Sequence, residues 1–382
     1  MRIIFHYYMG GGGGLSNIII LLRTMALSRP EDEIEIVTSP LVPFDELEDM
    51  PNIRIRRFRL TGWQEIDRLL LSVFFLPRIV RETRADILWS MNLGSYVKTG
   101  IPSVLSMTNA YQVCPWEDSR YHPGSTLHVA LLRWFFRRSL RIYDAVIVET
   151  QLMGDYVRRI QGAPQEICVA PKAVEKEIDV RPEPLPPFLQ SALERGLGRS
   201  TFTFLYVSTF MPHKNHVTLI RAFSELARRN VRVRVIFTIK PEEILDAGWP
   251  ETVSLIEKGY IVPVGWVAKS YLRSLYAACH ACLMPSVLES LSSAHLEAMQ
   301  WGRPQIIADL LYAHDLCGPA ALYVAATDVQ AWVEQIEKLK SNAHLRREMI
   351  HAGQVRMNMF PTSWDKASET VHRFLESLHN QH

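Results

Sequence analysis

Two glutamates and a lysine carry the most specific chemistry in this chain. In LMPSVLESLSSAHLEAMQWGRP, Glu289 stands in the loop after a strand-like run, and Glu297 stands about one turn into the helical pattern that follows. That spacing sets one carboxylate on each side of a helix N-terminus, whose free amides around Ser292 to His295 favour an anion. An anion held there has a carboxylate beside each end. A structural use for Glu297 would be a capping box, which needs Ser or Thr three residues earlier, and that residue is Ala294. For Glu289 the plain alternative, a solvated loop acid, stays open. Lys214, in VSTFMPHKNHVTLIRAF, follows another strand-like run at a helix start, from which its ammonium can reach a phosphate. A charge-assisted bond of this kind is worth about 1.5–3 kcal/mol. A lysine at a helix start is otherwise commonplace.

A third feature is FHYYMGGGGGLSN, with five consecutive glycines, Gly10 to Gly14, between a strand pattern and a helix pattern. Bared amides and a helix N-terminus at such a loop suit a phosphate. The dinucleotide fingerprint G-x-G-x-x-G would need glycine where Leu15 stands, and an acid at the end of the second strand, where IVTSP offers none. A nicotinamide enzyme is therefore disfavoured, and a loop with no ligand remains the alternative.

The elements that must position these residues alternate. Strand-like runs at 3–8, 33–39, 52–60, 85–91, 102–108, 144–150 and 166–171 are interleaved with helical patterns at 15–27, 63–83, 125–141 and 151–161. The proline-rich VRPEPLPPFLQ, at 180–190, reads as a connection outside both sheets. Alternation then restarts, with strands at 202–208, 231–239, 260–265, 281–286, 304–309 and 321–326, helices at 214–229, 268–278 and 293–301, and an amphipathic helix closing the chain at 358–379. This is the pattern of two doubly wound α/β domains, and it predicts a ligand cleft between them at the C-terminal strand ends.

Composition fits that reading. A chain of 382 residues, 48% hydrophobic, can fill two cores, and a net charge of +2 argues against a nucleic-acid binder working through a broad basic field. Five cysteines, with no leader pattern ahead of the first strand, point to a reducing cytoplasm without structural disulfides. The longest apolar runs, such as LLLSVFFL at 69–76, are too short to span a bilayer, so the protein is expected to be soluble or peripheral. CHAC, at 279–282, has metal-like spacing but no second pair, and reads as core. Arginines 133, 137, 138 and 141 beside Trp134, Phe135 and Phe136, with arginines 68, 78, 81 and 84 around the earlier apolar helix, suit either an anionic membrane surface or a solvated face.

Taken together, the strand leading into GG-L-S-N at 13–17, PHKN at 212–215, GWV with SLYAAC at 265–267 and 274–279, the E-x7-E block ending in LEAMQWGRP, and the tail AHDLCGPAALYV with a late SW resemble retaining glycosyltransferases of family 4, the glycogen-synthase-like group 1 branch. The resemblance spans nearly the whole chain. It implies a GT-B fold of two facing Rossmann-like domains: an acceptor domain at 1–173, a linker at 174–200, a nucleotide-sugar donor domain at 201–358, and a helix at 359–382 returning to the first domain.

It also implies roles. Glu297 would hold the ribose hydroxyls and Lys214 the diphosphate. Glu289, with the backbone near Ser292 and Ser293, would hold sugar and phosphate, with Trp266 and Val267 bordering the base. Gly13, Gly14 and Thr209 would complete the donor side. Gly12, Thr108 and Asn109 would face a glycan or lipid-linked acceptor. No metal or other cofactor is implied beyond a UDP- or GDP-linked sugar as co-substrate; the chain has no D-x-D. Lys214, Glu289 and Glu297 are the expected catalytic set, for retaining hexosyl transfer in cell-surface glycan or glycolipid synthesis at the cytoplasmic side. Departures from the family pattern are Thr209 where many relatives carry Arg, with His213 beside Lys214 as partial compensation, Thr108 where many carry His, and Ser290 and Ser292 in place of glycines. A sugar-nucleotide epimerase of the same architecture, and a non-catalytic two-lobed sugar-binding protein, are the alternative readings.

Overall fold

The computed structural model describes residues 1–8, 13–92, 94–115, 126–174, 183–194, 196–198 and 200–381. They form two compact units, the first from Met1–Arg120, Gly124–Glu175 and Phe360–His382, the second chiefly from Lys176–Met359.

The first unit is built on seven strands: β1 (Arg2–Tyr7), β2 (Glu33–Thr38), β3 (Ile53–Arg57), β4 (Ile87–Met91), β5 (Ser103–Met107), β6 (Ala145–Val148) and β7 (Glu166–Val169). They are parallel in the order β3-β2-β1-β4-β5-β6-β7, so the winding reverses between β1 and β4. Runs such as IIFHY and ILWSM are buried along their length, as strands covered on both faces must be. Phe5, Trp89, Ile34 and Ile36 pack on one face against the helices Gly13–Ser28 and Trp364–Gln381. The closing helix contributes Val371, Leu375 and Leu378, an apolar stripe at helical spacing. It is pinned by His372, whose Nε2 lies 2.6 Å from Oδ2 of the buried Asp32.

The helix expected at 63–83 is two helices, Gln64–Leu70 and Leu76–Thr83, joined by a π turn at Leu71–Phe75. Pro77 lacks the N–H that a continuous α-helix would use, and the chain widens just ahead of it.

The second unit holds β8 (Phe202–Tyr206), β9 (Val233–Phe237), β10 (Ile261–Pro263), β11 (Ala281–Met284), β12 (Gln305–Ala308) and β13 (Ala321–Val324). Here too all pairings are parallel, in the order β10-β9-β8-β11-β12-β13, and the winding reverses between β8 and β11. CHAC is core: Cys279 and Cys282 are buried, and burial pushes the Cys279 thiol up to about 12.

Part of the segment read as a linker is helical. Pro187–Glu194 forms a helix with Pro187 at its first position, where a missing N–H costs nothing, and it buries Leu189. The buried Arg234 donates to the Leu193 carbonyl at 2.6 Å, tying that helix to β9. Residues 175–182 of the expected linker lie outside the described residues.

Candidate functional site

Ligands of parallel α/β sheets gather outside the C-terminal ends of the strands that flank a winding reversal. In the second unit those strands are β8 and β11, and the loops leaving them carry Lys214 and Glu289. The two side chains meet there: Lys214 Nζ lies 2.5 Å from Glu289 Oε1, with 16% and 12% of their surfaces exposed.

Lys214 does not open a helix as the sequence suggests. It ends a 3-10 turn, Pro212–Lys214, and the α-helix starts after it, at His216. Between them Asn215 adopts a left-handed conformation, φ 53°, which among non-glycine residues Asn tolerates best. Its side-chain amide donates to the carbonyls of Ala326 at 2.8 Å and Pro285 at 3.2 Å, and its oxygen accepts from Thr218 at 2.8 Å. The Val287 amide donates to the His213 carbonyl at 2.8 Å, stitching the lysine turn to the glutamate loop. The Lys214 carbonyl accepts from the Tyr206 hydroxyl, also at 2.8 Å. The charges are therefore held by backbone anchored at several points.

Burial by itself would raise the Glu289 carboxyl. The charge and hydrogen bond of Lys214, aided by His213 and His295, outweigh it and hold the group below the usual carboxylate range. Behind the pair stands a buried polar wall. Tyr206 Oη lies 2.9 Å from Ser286 Oγ, and Tyr312 donates to the Ser286 carbonyl at 2.5 Å. His216, fully buried with Nε2 3.0 Å from Ser208 Oγ, is driven down to about 3 by burial and then by Lys214 and His213.

The helix Ser293–Gln300 begins on the same segment as Glu289. Ser292 is its N-cap, yet its side chain makes no cap bond, and the first turn holds no acid, so the positive end of the helix is not offset locally. Glu297, half-buried in the second turn, accepts from the Tyr276 hydroxyl at 3.2 Å, and Tyr276 packs on Trp301. Lys214, Glu289, Ser292, Ser293 and Glu297 thus belong to two adjacent strand exits and one helix. Thr209 is exposed in the same β8 exit and brings no charge. Trp266 is 79% exposed, whereas Val267 beside it is buried; both follow β10 across a turn at Gly265, φ 76°.

In the first unit, Gly13 opens the helix after β1, and a Cβ built on Gly14 would meet nothing within 4 Å. Packing against the described residues therefore does not require that glycine. Gly10, Gly11 and Gly12 lie outside the described residues. Thr108 donates through its amide and hydroxyl to Asn92 Oδ1, at 3.1 and 3.2 Å, and Asn109 caps the turn Ala110–Gln112. Both have structural work there. Two of the arginines grouped as a basic face also point inward. Arg68 is buried, and Arg133 donates to the carbonyls of Tyr111 and Cys114 at 2.8 and 2.7 Å.

Sequence reasoning missed Asn215 as the anchor of the lysine turn, although an Asn between a proline turn and a helix is a left-handed signal. It also missed the wall of Tyr206, Ser286, His295 and Tyr312. A polar residue among apolar ones on a sheet-facing helix, as His295 is beside Leu296, was the available sign.

Residues 201–342 match the model of the group 1 glycosyl transferases, and residues 24–173 match that of the glycosyl transferase 4-like domain. Over 177 residues the chain is 27% identical to O-antigen chain mannosyltransferase B of Escherichia coli, a stretch that is 44% of this chain and 45% of that protein. It spans less than half of that relative. Among solved structures, sucrose-phosphate synthase of Thermosynechococcus elongatus superposes with a TM-score of 0.74 at 17% identity, covering 100% of both chains. HepE of Anabaena, solved with UDP and glucose, gives 0.71 at 16% identity, covering 99% of this chain and 100% of its own.

Proposed function

The chain belongs to the group 1 glycosyltransferases of the GT-B fold, and within that family we propose that it transfers a hexose, with retention, from a nucleotide-sugar donor seated on the second unit to a glycan or lipid-linked acceptor. The observation that carries this reading is the Lys214–Glu289 pair at the β8/β11 reversal, beside a helix start with no acid in its first turn. A cation, a row of free amides and two carboxylates suit a ligand made of a diphosphate between two polyhydroxylated rings. Lys214 and the amides at Ser292 and Ser293 take the diphosphate, Glu289 the hexose hydroxyls, and Glu297 the ribose hydroxyls. The exposed indole of Trp266 offers a face for the base.

The backbone that carries Lys214 is anchored at several points, so once the donor is seated its ammonium meets the departing diphosphate with little reorganisation at the moment of reaction. In a same-face displacement the bond from the anomeric carbon to the phosphate oxygen breaks as the bond to the acceptor oxygen forms. The acceptor proton passes to the leaving phosphate, and no protein nucleophile is used. The mannosyltransferase relative makes mannose the first sugar to try, in the assembly of a surface polysaccharide at the cytoplasmic face.

An anionic bilayer is the proposed docking surface. Trp63, Phe74, Leu127 and Trp134 are largely exposed in the first unit, in segments whose Arg78, Arg81, Arg137 and Arg138 are also exposed. Among the described residues no helix is long and apolar enough to cross a membrane.

The test is transfer from GDP-mannose and UDP-glucose to a lipid-linked glycan, with the product's anomeric configuration read by NMR. An α-linked product from these α-donors supports the reading. A β-linked product overturns retention, and conversion of the donor sugar without an acceptor favours an epimerase.

A further inference from the structure

His295 is fully buried, and among the described residues neither ring nitrogen has a hydrogen-bond partner. An apolar side chain would fill this place without leaving two polar atoms unsatisfied. The ring lies edge-on to Tyr312, 5.9 Å between centroids. The Tyr312 hydroxyl holds the Ser286 carbonyl, and the Ser286 hydroxyl meets Tyr206, which holds the Lys214 carbonyl. The unpartnered imidazole is thus set in the wall behind the ion pair and within the electrostatic reach of both its members.

We infer that His295 is the reserve partner of Glu289: when the donor diphosphate draws the Lys214 ammonium away, the imidazole takes a proton from solvent and donates it as a hydrogen bond to the Glu289 carboxylate. This rests on the reading that Lys214 binds the diphosphate. The balance is simple. Lys214 keeps its three protons and turns from carboxylate to phosphate oxygen; one proton leaves a hydronium ion or buffer acid and forms an N–H bond on the imidazole, and no other covalent bond changes. His295 is a positioning residue, keeping Glu289 ionised and aimed at the hexose.

The charged groups around it act in opposite directions. Burial holds its pKa down, near about 4. Glu289 from the β11 exit pulls it up, Lys214 from the 3-10 turn pushes it down, and Tyr312 on the Leu311–Cys317 helix is itself held neutral, well above its ordinary range. Gln305 from β12 donates to the His295 carbonyl at 3.0 Å and carries no charge. Moving Lys214 away removes a repulsion and leaves the attraction.

Two measurements test this. The first needs no donor: the ring of His295 is titrated by NMR in the full chain and in Lys214→Met. Its titration is expected to rise by about one pH unit or more in Lys214→Met and to stay in place in Lys214→Arg. No rise in Lys214→Met overturns the proposal. The second is calorimetric titration of GDP-mannose and UDP-glucose near pH 5 in buffers of different ionisation enthalpy, which counts protons taken up. Sugar nucleotides serve because their phosphates are diesters and lack the second ionisation that a free terminal phosphate undergoes near pH 6. Uptake of about 0.4 proton per donor at pH 5, the fraction gained when a ring at about 4 rises by about one unit, is expected and is abolished in His295→Leu; equal uptake in both, or none, overturns the coupling. A shifted ring titration combined with Lys214→Ala binding as tightly as the unsubstituted chain would place the failure in the phosphate reading and remove the trigger this proposal needs.

Discussion

Replacing Glu289 by Ala strips the counter-charge from a lysine whose side chain is only 16% exposed. Breaking a buried ion pair from one side costs about 3–5 kcal/mol, and the residual exposure of this pair sets the expected loss at the low end, about 3 kcal/mol. Lys214→Met should cost less, about 2 kcal/mol, because the His295 imidazole can take a proton and serve the stranded carboxylate as its new partner. The double variant Lys214→Met with Glu289→Leu removes both charges while filling the space, and is expected within about 1 kcal/mol of the unsubstituted protein. In a unit of this size about 1 kcal/mol moves the melting temperature by roughly 2–4 °C. Scanning calorimetry should therefore show Glu289→Ala unfolding about 6–12 °C lower, and the double variant nearly restored. Nucleotide-sugar affinity, by contrast, should fall at least about tenfold in all three, since a charge-assisted bond is lost in each. Restored stability with lost binding separates the pair's function from its packing. A double variant as unstable as Glu289→Ala, or one that binds donor as tightly as the unsubstituted chain, refutes the reasoning.

Acid should weaken the second unit early. His216 and His295 titrate at about 3 and about 4 when folded, against 6.5 in the open chain, chiefly through burial. The unfolded chain therefore binds protons first, and stability that is full above about pH 6.5 falls as the pH drops, by about 2 kcal/mol per histidine at about pH 5. Urea midpoints across this range should show about half that loss in His295→Leu; an unchanged pH slope would contradict the assignment. Asn215→Ala should cost about 3 kcal/mol, from the left-handed backbone and three lost side-chain bonds, and should loosen donor binding, with Asn215→Gly recovering the backbone share. Cosedimentation with phosphatidylglycerol vesicles should drop several-fold in Trp63→Ser with Trp134→Ser and vanish on neutral vesicles; equal binding to both lipids would exclude the arginine–aromatic face as the contact.

The alternation of apolar runs made both parallel sheets readable, because strands covered on two faces leave an unbroken apolar signature. Glu289 and Glu297 were readable for a different reason: fixed spacing across a strand exit and a helix start places both whatever the surrounding packing. What escaped was set by contacts distant in sequence. The helix after β8 starts two residues later than its pattern because Asn215 is bonded to Pro285 and Ala326, segments that only the folded sheet brings near. Arg68 and Arg133 look like members of a basic face in one dimension, yet Arg133 is spent on carbonyls of the segment after β5. The prolines at 184–187 read as a break, but Pro187 opens a helix whose end is held by Arg234, again a long-range partner. His295 showed only its identity, and its isolation among buried groups is visible only in three dimensions.

Calorimetric titration of GDP-mannose and UDP-glucose into the unsubstituted chain, Lys214→Ala and Glu297→Ala tests the donor site most directly. One of the two donors should bind, and each variant should weaken it by roughly tenfold or more while remaining folded. Affinity unchanged in both variants would contradict a donor seated at the β8/β11 reversal.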